Sequence, residues 1–332
     1  SVCRSFSSLT SDPHFIRLHS EVSSRNPNLL IELLDPAGPT SSSILVDASF
    51  GVSRFSLGFL DDRVKIRASS NGILCCASVR SKGVYYVCNP MTRESRLLPR
   101  TRERPYTRFQ PEYEATVVAL ASDPSTHGFV VFLAGYYRPF GHRPHDDLVC
   151  LTFDSATNSW SRFVSYICED FTWINRNQAV LFNGALHWVT KSCSYVLALD
   201  LGDCVWRKIS MPGEIVAGGF KGRIYLSELG GFVSVVQFSG DWMSTWVLKE
   251  YSREEWALED RVHLRCIRGV STSAFPLSQS KDVVFLATQK KVLTYCRKSK
   301  VWREIYAVED NYTFPLWFST YSFRSTLFPC HC

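Results

Sequence analysis

Short apolar runs separated by turn-forming residues make up most of this chain, from about residue 44 to the C-terminus. In residues 180–189, two such runs flank Asn183-Gly184, a pair that is a strong short-range signal for a β-hairpin. Asn71-Gly72 precedes a similar run at residues 73–76, and Gly222 precedes another at residues 223–226. The pattern predicts a chain built mainly of β-strands.

These hairpins belong to a repeated unit. Each unit consists of a hairpin, a strand that ends in a short polar turn, and a strand centred on tryptophan. The turns and following strands are predicted at residues 89–99, 154–160 and 200–206, and two further units end at Trp246 and Trp302. We expect the Asn or Asp that opens each turn to bond its own backbone, and the tryptophan to close the unit's core.

The spacing of the repeat predicts the fold. Successive tryptophans are 46, 40 and 56 residues apart, an interval typical of four-stranded β-propeller blades. The chain accommodates about six blades, and the same spacing is compatible with five or seven. A strand from one end of the chain is expected to complete the blade formed by the other end, which removes an exposed edge. Residues 316–328 and 29–50 are predicted to do this.

The first 25 residues have a different pattern. The residues that recur at helical spacing are Val2, Phe6 and Leu9, and then Phe15, Ile16, His19 and Val22. Between these two groups, Ser11-Asp12-Pro13 predicts the end of one helix and the start of another, with Pro at the first helical position. The sequence therefore predicts two short α-helices in residues 1–25, followed by an all-β propeller domain in residues 26–332.

The composition fits a folded protein with a large core. Of the 332 residues, 45% are apolar and 14% are aromatic, which favours strands. The net charge of +6 is a small excess. The Arg-rich run from Arg93 to Arg108 favours a solvated or partner-facing loop over a nucleic-acid site, so no nucleic-acid partner is predicted.

The cysteines and the hydropathy pattern bear on location. Several of the 12 cysteines lie inside apolar runs, where a reduced thiol behaves as a small hydrophobe, and the chain does not open with a signal-like segment. A reducing compartment, cytoplasmic or nuclear, is therefore predicted. No apolar stretch approaches the roughly 18 residues needed to span a membrane.

No catalytic, metal or cofactor site is predicted. Cys330-His331-Cys332 lacks the paired spacing that structural zinc requires. His142 and His145 lie beside Asp146 and Asp147, a group that could bind a metal or act as a base, but the Gly-, Pro- and Arg-rich context favours a solvated loop tip.

Four segments resemble the F-box proteins of plants. Residues 2–19 are similar to the end of an F-box, which reads Val-Cys-Lys-x-Trp/Phe-x-x-Leu and then Ser-Asp-Pro-x-Phe. Residues 70–75, 87–93 and 183–188 resemble the family's Asn-Gly-Leu-Leu-Cys, Asn-Pro-x-Thr-Arg and Asn-Gly-Ala-Leu-Tyr-Trp signatures. The chain as a whole resembles an F-box protein with an F-box-associated, kelch-like propeller, in which the N-terminal half of the F-box is missing.

The resemblance implies a substrate-recognition subunit of an SCF-type E3 ubiquitin ligase. The F-box would bind a Skp-type adaptor and, through it, a cullin, while the propeller binds the target protein and catalysis resides on other subunits. The chain is therefore not predicted to be an enzyme. Because the F-box is incomplete, a protein-binding propeller scaffold without ligase function is the alternative. The residues expected to face the adaptor, in part while packing on the propeller, are Val2, Phe6, Leu9, Phe15 and Ile16.

Two loops are candidates for binding the target protein. They span residues 101–113 and 136–147, and both mix Arg with aromatic residues, the types that dominate binding hot spots. The candidate residues are Arg104, Tyr106, Arg108, Phe109, Tyr136, Tyr137, Arg138 and Phe140. The alternative is that these are ordinary variable loops. If they bind a partner, the arginines favour an acidic or phosphorylated segment.

Overall fold

The computed structural model describes residues 12–25, 28–33, 42–47, 51–101, 117–123, 125–136, 148–165, 179–190, 192–219, 222–267, 269, 273–308 and 320–330. Within these ranges the chain forms six antiparallel sheets of four strands each. They are the blades of a six-bladed β-propeller, as the spacing of the repeat predicts.

Sheets 1 to 3 belong to one compact unit, formed by Ser1–Val164 and Ser319–Cys332. Sheet 1 has the order β24-β1-β2-β3, and in sheets 2 and 3 the strands follow one another along the chain. Their bounds are β1 Asn28–Leu33, β2 Ser42–Asp47, β3 Gly51–Phe55, β4 Val64–Ser70, β5 Ile73–Ser78, β6 Tyr85–Asn89, β7 Glu94–Leu97, β8 Val117–Ser122, β9 Phe129–Tyr136, β10 Leu148–Asp154, β11 Ser159–Ser165 and β24 Thr320–Phe323.

Sheets 4 to 6 belong to the second unit, Ser165–Phe318, and their strands also follow one another along the chain. Their bounds are β12 Val180–Phe182, β13 Ala185–Val189, β14 Tyr195–Asp200, β15 Trp206–Ser210, β16 Arg223–Leu229, β17 Phe232–Ser239, β18 Trp242–Glu250, β19 Glu255–His263, β20 Phe275–Gln279, β21 Val283–Ala287, β22 Lys291–Cys296 and β23 Val301–Ala307.

A sheet that packs between two neighbouring sheets is buried on both faces, which explains the unbroken apolar runs of its strands. In β5, Cys75 packs into the core shared with sheet 3, whereas the next residue, Cys76, packs into the core shared with sheet 1. Sheet 5 does the same in the second unit: Trp246 joins the core against sheet 4, and Met243 joins the core against sheet 6. The apolar core of each unit therefore lies between its successive sheets.

The two ends of the chain meet in sheet 1, which confirms the predicted completion of one blade by both ends. Strand β24 pairs antiparallel with β1, with Tyr321 opposite Leu30 and Ser322 opposite Leu29. Strand β24 falls within the predicted segment 316–328, and β1 begins one residue before the predicted segment 29–50. Because β24 contributes its own side chains Tyr321 and Phe323 to the core with sheet 2, the C-terminal strand is part of the folded unit.

The same turn joins the third and fourth strands of sheets 2 to 6. Its fifth residue has a positive φ, between 50° and 60°, and these residues are Arg93, Asn158, Cys204, Glu254 and Lys300. In four sheets the side chain of the opening residue accepts the backbone N–H two residues further on. The acceptors are Asn89, Asp154 and Asp200, at 2.8–2.9 Å, and Glu250, at 3.3 Å. This confirms the bonding predicted for the polar turns.

The tryptophan repeat is partly corrected. Tryptophan lies in the fourth strand of sheets 3 to 6, at Trp160, Trp206, Trp256 and Trp302. The prediction that Trp246 marks a unit's last strand is wrong, because Trp246 lies in the third strand of sheet 5, where it is buried in the core. The indole N–H of Trp256 donates to the carbonyl of Ser210, at the end of sheet 4, over 2.8 Å.

Helices are few among the described residues. Helix α1, Pro13–Arg25, begins where predicted: the carboxylate of Asp12 accepts the N–H groups of His14 and Phe15 at 2.8 and 2.9 Å. The first predicted helix lies outside the described residues. A short helix α2, Gly213–Ala217, is an addition to the prediction. None of the helices described is long and apolar enough to cross a membrane.

Candidate protein-binding surfaces

Most of the predicted site residues lie outside the described part of the chain. For the target-binding loops these are Arg104, Tyr106, Arg108, Phe109, Tyr137, Arg138 and Phe140. Tyr136 is the last residue of β9, but its side chain is not described. Val2, Phe6 and Leu9 of the adaptor-facing set also lie outside, and Phe15 and Ile16 are half-buried in α1. The roles assigned to these residues remain predictions.

Strands β8, β9 and β10 show where the two candidate loops are attached to sheet 3. Residues 102–116 lead into β8 at Val117, which pairs opposite Ala134 near the end of β9. Residues 137–147 connect Tyr136 at the end of β9 to Leu148 at the start of β10, and these two residues are paired. Both loops are therefore attached to the same end of sheet 3, although they are separate in sequence.

Helix α1 exposes two apolar residues that are not in the predicted adaptor-facing set. Leu18 and Val22, one turn apart, are 45% and 64% exposed, whereas Phe15, Ile16 and His19 are half-buried. Burial of the His19 ring lowers its pKa. Val22, which belongs to the predicted helical face, thus points outward. Beside it lies Leu18, which was not predicted from the sequence. Its spacing of four from Val22 was the available signal.

In the second unit, sheet 5 carries an exposed cluster of aromatic and cationic groups, here called the Trp242 cluster: Trp242, Arg261, His263 and Arg265. Trp242 opens β18 after the turn at Gly240-Asp241 and pairs opposite His263 of β19. The two rings meet edge to face with centroids 4.6 Å apart, and the Arg261 guanidinium lies 4.8 Å from the Trp242 ring centroid. All four side chains are exposed.

Two arginines of this cluster are not neutralised locally. Neither Arg261 nor Arg265 has a carboxylate within ion-pair distance among the described residues. The backbone N–H of Arg265 donates to Nδ1 of His263 at 3.0 Å, so the neutral ring carries its proton on Nε2. The cluster therefore offers cationic and N–H donors beside an exposed indole.

The position of the Trp242 cluster within its sheet matches that of a predicted loop. Trp242 follows the connection between the second and third strands of sheet 5, and residues 137–147 form the connection between the second and third strands of sheet 3. Sequence analysis did not identify the cluster because Trp242 and Arg261 are 19 residues apart. Only the register of β18 and β19 brings them together.

The other end of sheet 5 is also aromatic, but its cations are paired. Phe182 packs 5.9 Å from Phe232 and 5.5 Å from Tyr251 between ring centroids. Arg207, 5.0 Å from the Tyr251 ring centroid, forms an ion pair with Glu254 at 3.0 Å. Likewise, Lys249 near Phe232 is paired with a glutamate. This end offers less uncompensated charge to a partner.

His187 forms a hydrogen bond with Tyr251 of this aromatic group. It is not available as an acid or base near neutral pH. Burial lowers its pKa to about 4, so the ring is neutral. Nδ1 lies 3.1 Å from the carbonyl oxygen of Val180 and therefore carries the proton, which leaves Nε2 to accept the Tyr251 hydroxyl at 2.8 Å. The histidine thus has a structural role in joining sheets 4 and 5.

The two adjacent buried thiols, Cys75 and Cys76, are poor candidates for chemistry. Burial raises the pKa of Cys75 to about 12, and a hydrogen bond with Cys88 together with burial raises that of Cys76. Within the described residues no group of three His, Cys, Asp or Glu side chains could hold a metal ion. His142, His145 and the residues after Cys330 lie outside those residues.

Comparison with known sequences gives two similarities. Residues 40–203 match a family described as the F-box associated beta propeller domain. The whole chain is 50% identical over 333 aligned positions to F-box protein At5g49610 of Arabidopsis thaliana, covering 92% of that protein.

Among solved structures, similarity is weaker. An oligogalacturonate lyase from Vibrio parahaemolyticus is 7% identical, with a TM-score of 0.47 over 83% of this chain and 75% of the lyase. YCF48 from Cyanidioschyzon merolae is 10% identical, with a TM-score of 0.44 over 84% of this chain and 85% of its own. At these scores neither similarity says anything about function.

Proposed function

This chain belongs to the F-box protein family, whose members are typically non-catalytic adaptors, and from that premise we propose that it is the substrate-recognition subunit of an SCF-type E3 ubiquitin ligase. In this role the F-box residues bind a Skp-type adaptor that is attached to a cullin, and the propeller binds the target protein. The observation that supports the proposal most strongly is the end-to-end similarity to an F-box protein at 50% identity.

The mechanism is positioning. A receptor that holds adaptor and target together turns ubiquitin transfer into a reaction between neighbours, which raises the effective concentration of target lysines. No catalytic side chain is required of this chain. Both units meet the requirement for partner binding, since α1 exposes apolar residues in the first unit and sheet 5 exposes an aromatic and cationic cluster in the second.

The test for adaptor binding uses Val22. The protein is expressed with a tag from its complete gene in plant cells, and co-purifying adaptor and cullin are quantified by mass spectrometry. We expect Val22→Asp to reduce adaptor recovery about tenfold, because an unpaired carboxylate in an apolar contact costs at least about 1.4 kcal/mol. Val205→Asp makes the same change at a similarly exposed position of the propeller (58% against 64%) and should leave recovery unchanged.

The competing function, a propeller scaffold without ligase activity, gives a different result. Partner proteins would then co-purify with the wild-type chain while adaptor and cullin remain at the level of an untagged control. Such a result would contradict the receptor function and leave the propeller's binding role in place. A ligase receptor is expected to reside in the cytoplasm or nucleus, where its adaptor and cullin are found.

A further inference from the structure

The Trp242 cluster forms an exposed surface at one end of sheet 5. We propose that this surface binds a short acidic segment of the target protein, with carboxylates on Arg261 and Arg265 and an apolar side chain of the same segment against Trp242. The inference rests on the proposed receptor function and specifies which surface meets the target and what chemistry it selects.

The register of β18 and β19 places the exposed groups in a row along β19. Side chains two residues apart on a strand share a face, so Trp242, Ser244 and Trp246 lie along one face of β18. Ser244 and Trp246 are buried, and only Trp242 of the three is exposed. Their partners on β19 are His263, Arg261 and Leu258. Leu258, 52% exposed, is thus at one end and Trp242, 38% exposed, at the other. Four residue steps span about 13 Å, enough for roughly four residues of an extended peptide.

Charge selects the occupant. Guanidinium groups bind carboxylates in paired N–H to oxygen contacts, and Arg261 is held over the Trp242 ring while it remains exposed and without an acidic partner among the described residues. The ring restricts the arginine side chain, which lowers the entropy lost on binding. Arg265, close to the chain turn after β19, adds a second cation.

The same strand limits the length of anion that fits. Glu255 lies beyond Leu258 in β19 and Glu259 lies between Leu258 and Arg261, and both repel a continuous polyanion. Glu259 is paired with Lys249 at 2.9 Å, so this part of the strand has little net attraction for anions. A nucleic-acid backbone is anionic at every residue, whereas a peptide can combine two or three acidic residues at Arg261 and Arg265 with an apolar residue against Trp242. The pattern therefore favours a peptide.

The first experiment selects ligands without assuming a target. A phage library of random peptides is panned on the full chain and, in parallel, on the Arg261→Gln/Arg265→Gln variant. We expect peptides recovered from the wild type to be enriched in Asp and Glu adjacent to an apolar residue, and this enrichment to disappear with the variant. Recovery of peptides without acidic enrichment, or the same enrichment from both proteins, would overturn the proposal.

The second experiment measures the selected peptide by fluorescence polarisation. We expect binding to weaken about tenfold or more in the double variant and in Trp242→Ala, and also when the peptide's Asp and Glu are replaced by Asn and Gln. Arg253→Gln/Arg303→Gln removes two exposed arginines elsewhere in the unit and should leave affinity within twofold. Unchanged melting temperatures show that each variant is folded, and tighter binding of a single-stranded RNA than of the peptide would overturn the proposal.

Failure of this inference can be told apart from failure of the proposed function. Adaptor recovery is measured for the same variants in plant cells. Acidic-peptide binding that needs Arg261, with wild-type adaptor recovery in the variant, supports both statements. Adaptor recovery without acidic-peptide binding refutes the Trp242 cluster as the target site and leaves the receptor function intact. Acidic-peptide binding without any adaptor recovery refutes the receptor function and leaves the Trp242 cluster as a binding surface for acidic segments.

Discussion

At the scale of single residues, a buried carboxyl group distinguishes sheet 1. Glu32 of β1 is 1% exposed, and one of its carboxylate oxygens accepts the N–H of Ile66 at 3.2 Å. The other oxygen has no hydrogen-bond partner in the described structure. Burial raises the pKa of Glu32 to about 7, and the positive charges of Lys65 and Arg67 only partly oppose this. The protonated carboxyl is therefore favoured in the folded state.

The consequence is a stability that falls as the pH rises. The folded protein retains the Glu32 proton up to a pKa of about 7, whereas the unfolded chain releases it near 4.5, so the free energy of unfolding decreases between these values and is flat above them. The loss is about 3 kcal/mol for a fully buried group. Urea denaturation of wild type and Glu32→Gln at pH 5 and pH 8 measures it.

The variant should be about as stable as wild type at pH 5 and more stable at pH 8, because glutamine keeps the polar contact without a charge. Glu255→Gln, at an exposed position, controls for the loss of a carboxylate. Equal differences between Glu32→Gln and wild type at both pH values would show that Glu32 is ionised throughout.

At the scale of elements, the turn between the third and fourth strands is the clearest repeat in the molecule. Its opening residue ends the third strand in each of sheets 2 to 6, and the fifth residue adopts the left-handed conformation. In all five of these sheets the fifth residue carries a side chain. Three of these turns were predicted from their Asn or Asp, and a fourth, opened by Cys296, belongs to the unit predicted to end at Trp302. The turn opened by Glu250 was missed, because the unit was predicted to end at Trp246.

The left-handed conformation predicts how substitutions of Lys300, whose φ is 58°, change the stability of the protein. Left-handed φ costs an L-residue about 1–2 kcal/mol and costs glycine nothing, so Lys300→Gly should raise stability by up to about 1 kcal/mol after the unfolded-chain entropy of glycine is subtracted. Lys300→Val should lower it by about 1 kcal/mol, since β-branched residues fit this region poorly. Melting temperatures should rank Gly, Lys, Val in descending order.

Lys298→Val is the matched control, because Lys298 lies in the same turn and has no positive φ. It should change the melting temperature much less than Lys300→Val. Equal effects at the two positions would assign the loss to the side chain and not to the backbone conformation.

At the scale of the whole molecule, the segment after β24 links elements that are far apart in sequence. The side-chain amide of Asn89 donates to the carbonyls of Thr326 and Phe328 at 3.0 and 2.7 Å. A Cβ atom added to Gly72 would collide with the backbone oxygen of Arg324 and the side chain of Thr326. Two of the segments that resemble family signatures therefore hold the C-terminal segment in place.

Gly72 and Gly184 test this role directly, since both follow Asn in a hairpin turn and both have positive φ, 85° and 74°. Only Gly72 has neighbours that a methyl group would strike; Gly184 has nothing within 4 Å. We expect Gly184→Ala to cost about 1 kcal/mol for the backbone alone. Gly72→Ala should cost at least about 2 kcal/mol more, because the C-terminal segment must move.

Urea denaturation of the two variants measures the difference. Similar losses for Gly72→Ala and Gly184→Ala would mean that the segment after β24 contributes little to stability. Deletion of residues after Phe323 should then also have a small effect, whereas a tight C-terminal segment predicts a large one.

The sequence by itself determined the strand content, the repeat and the pairing of the chain ends, because apolar runs and turn chemistry are local properties that the residue order records. It limited the number of blades to between five and seven, and the structure shows six. It also predicted the start of α1 at Pro13 from Asp12. It could not separate Trp246 from Trp256, since tryptophan serves in two different strands of sheet 5 and both bury an indole.

Tertiary structure alone decided which distant residues meet. The register of β18 and β19 assembles Trp242 with Arg261, the bulge between Thr245 and Trp246 shifts the outer residues of β19, and burial raises the pKa of Glu32. Each depends on contacts between residues far apart along the chain, and local sequence patterns carry no information about such contacts. The candidate loops at residues 101–113 and 136–147 were identified from composition, and only strand pairing shows that they join one end of sheet 3.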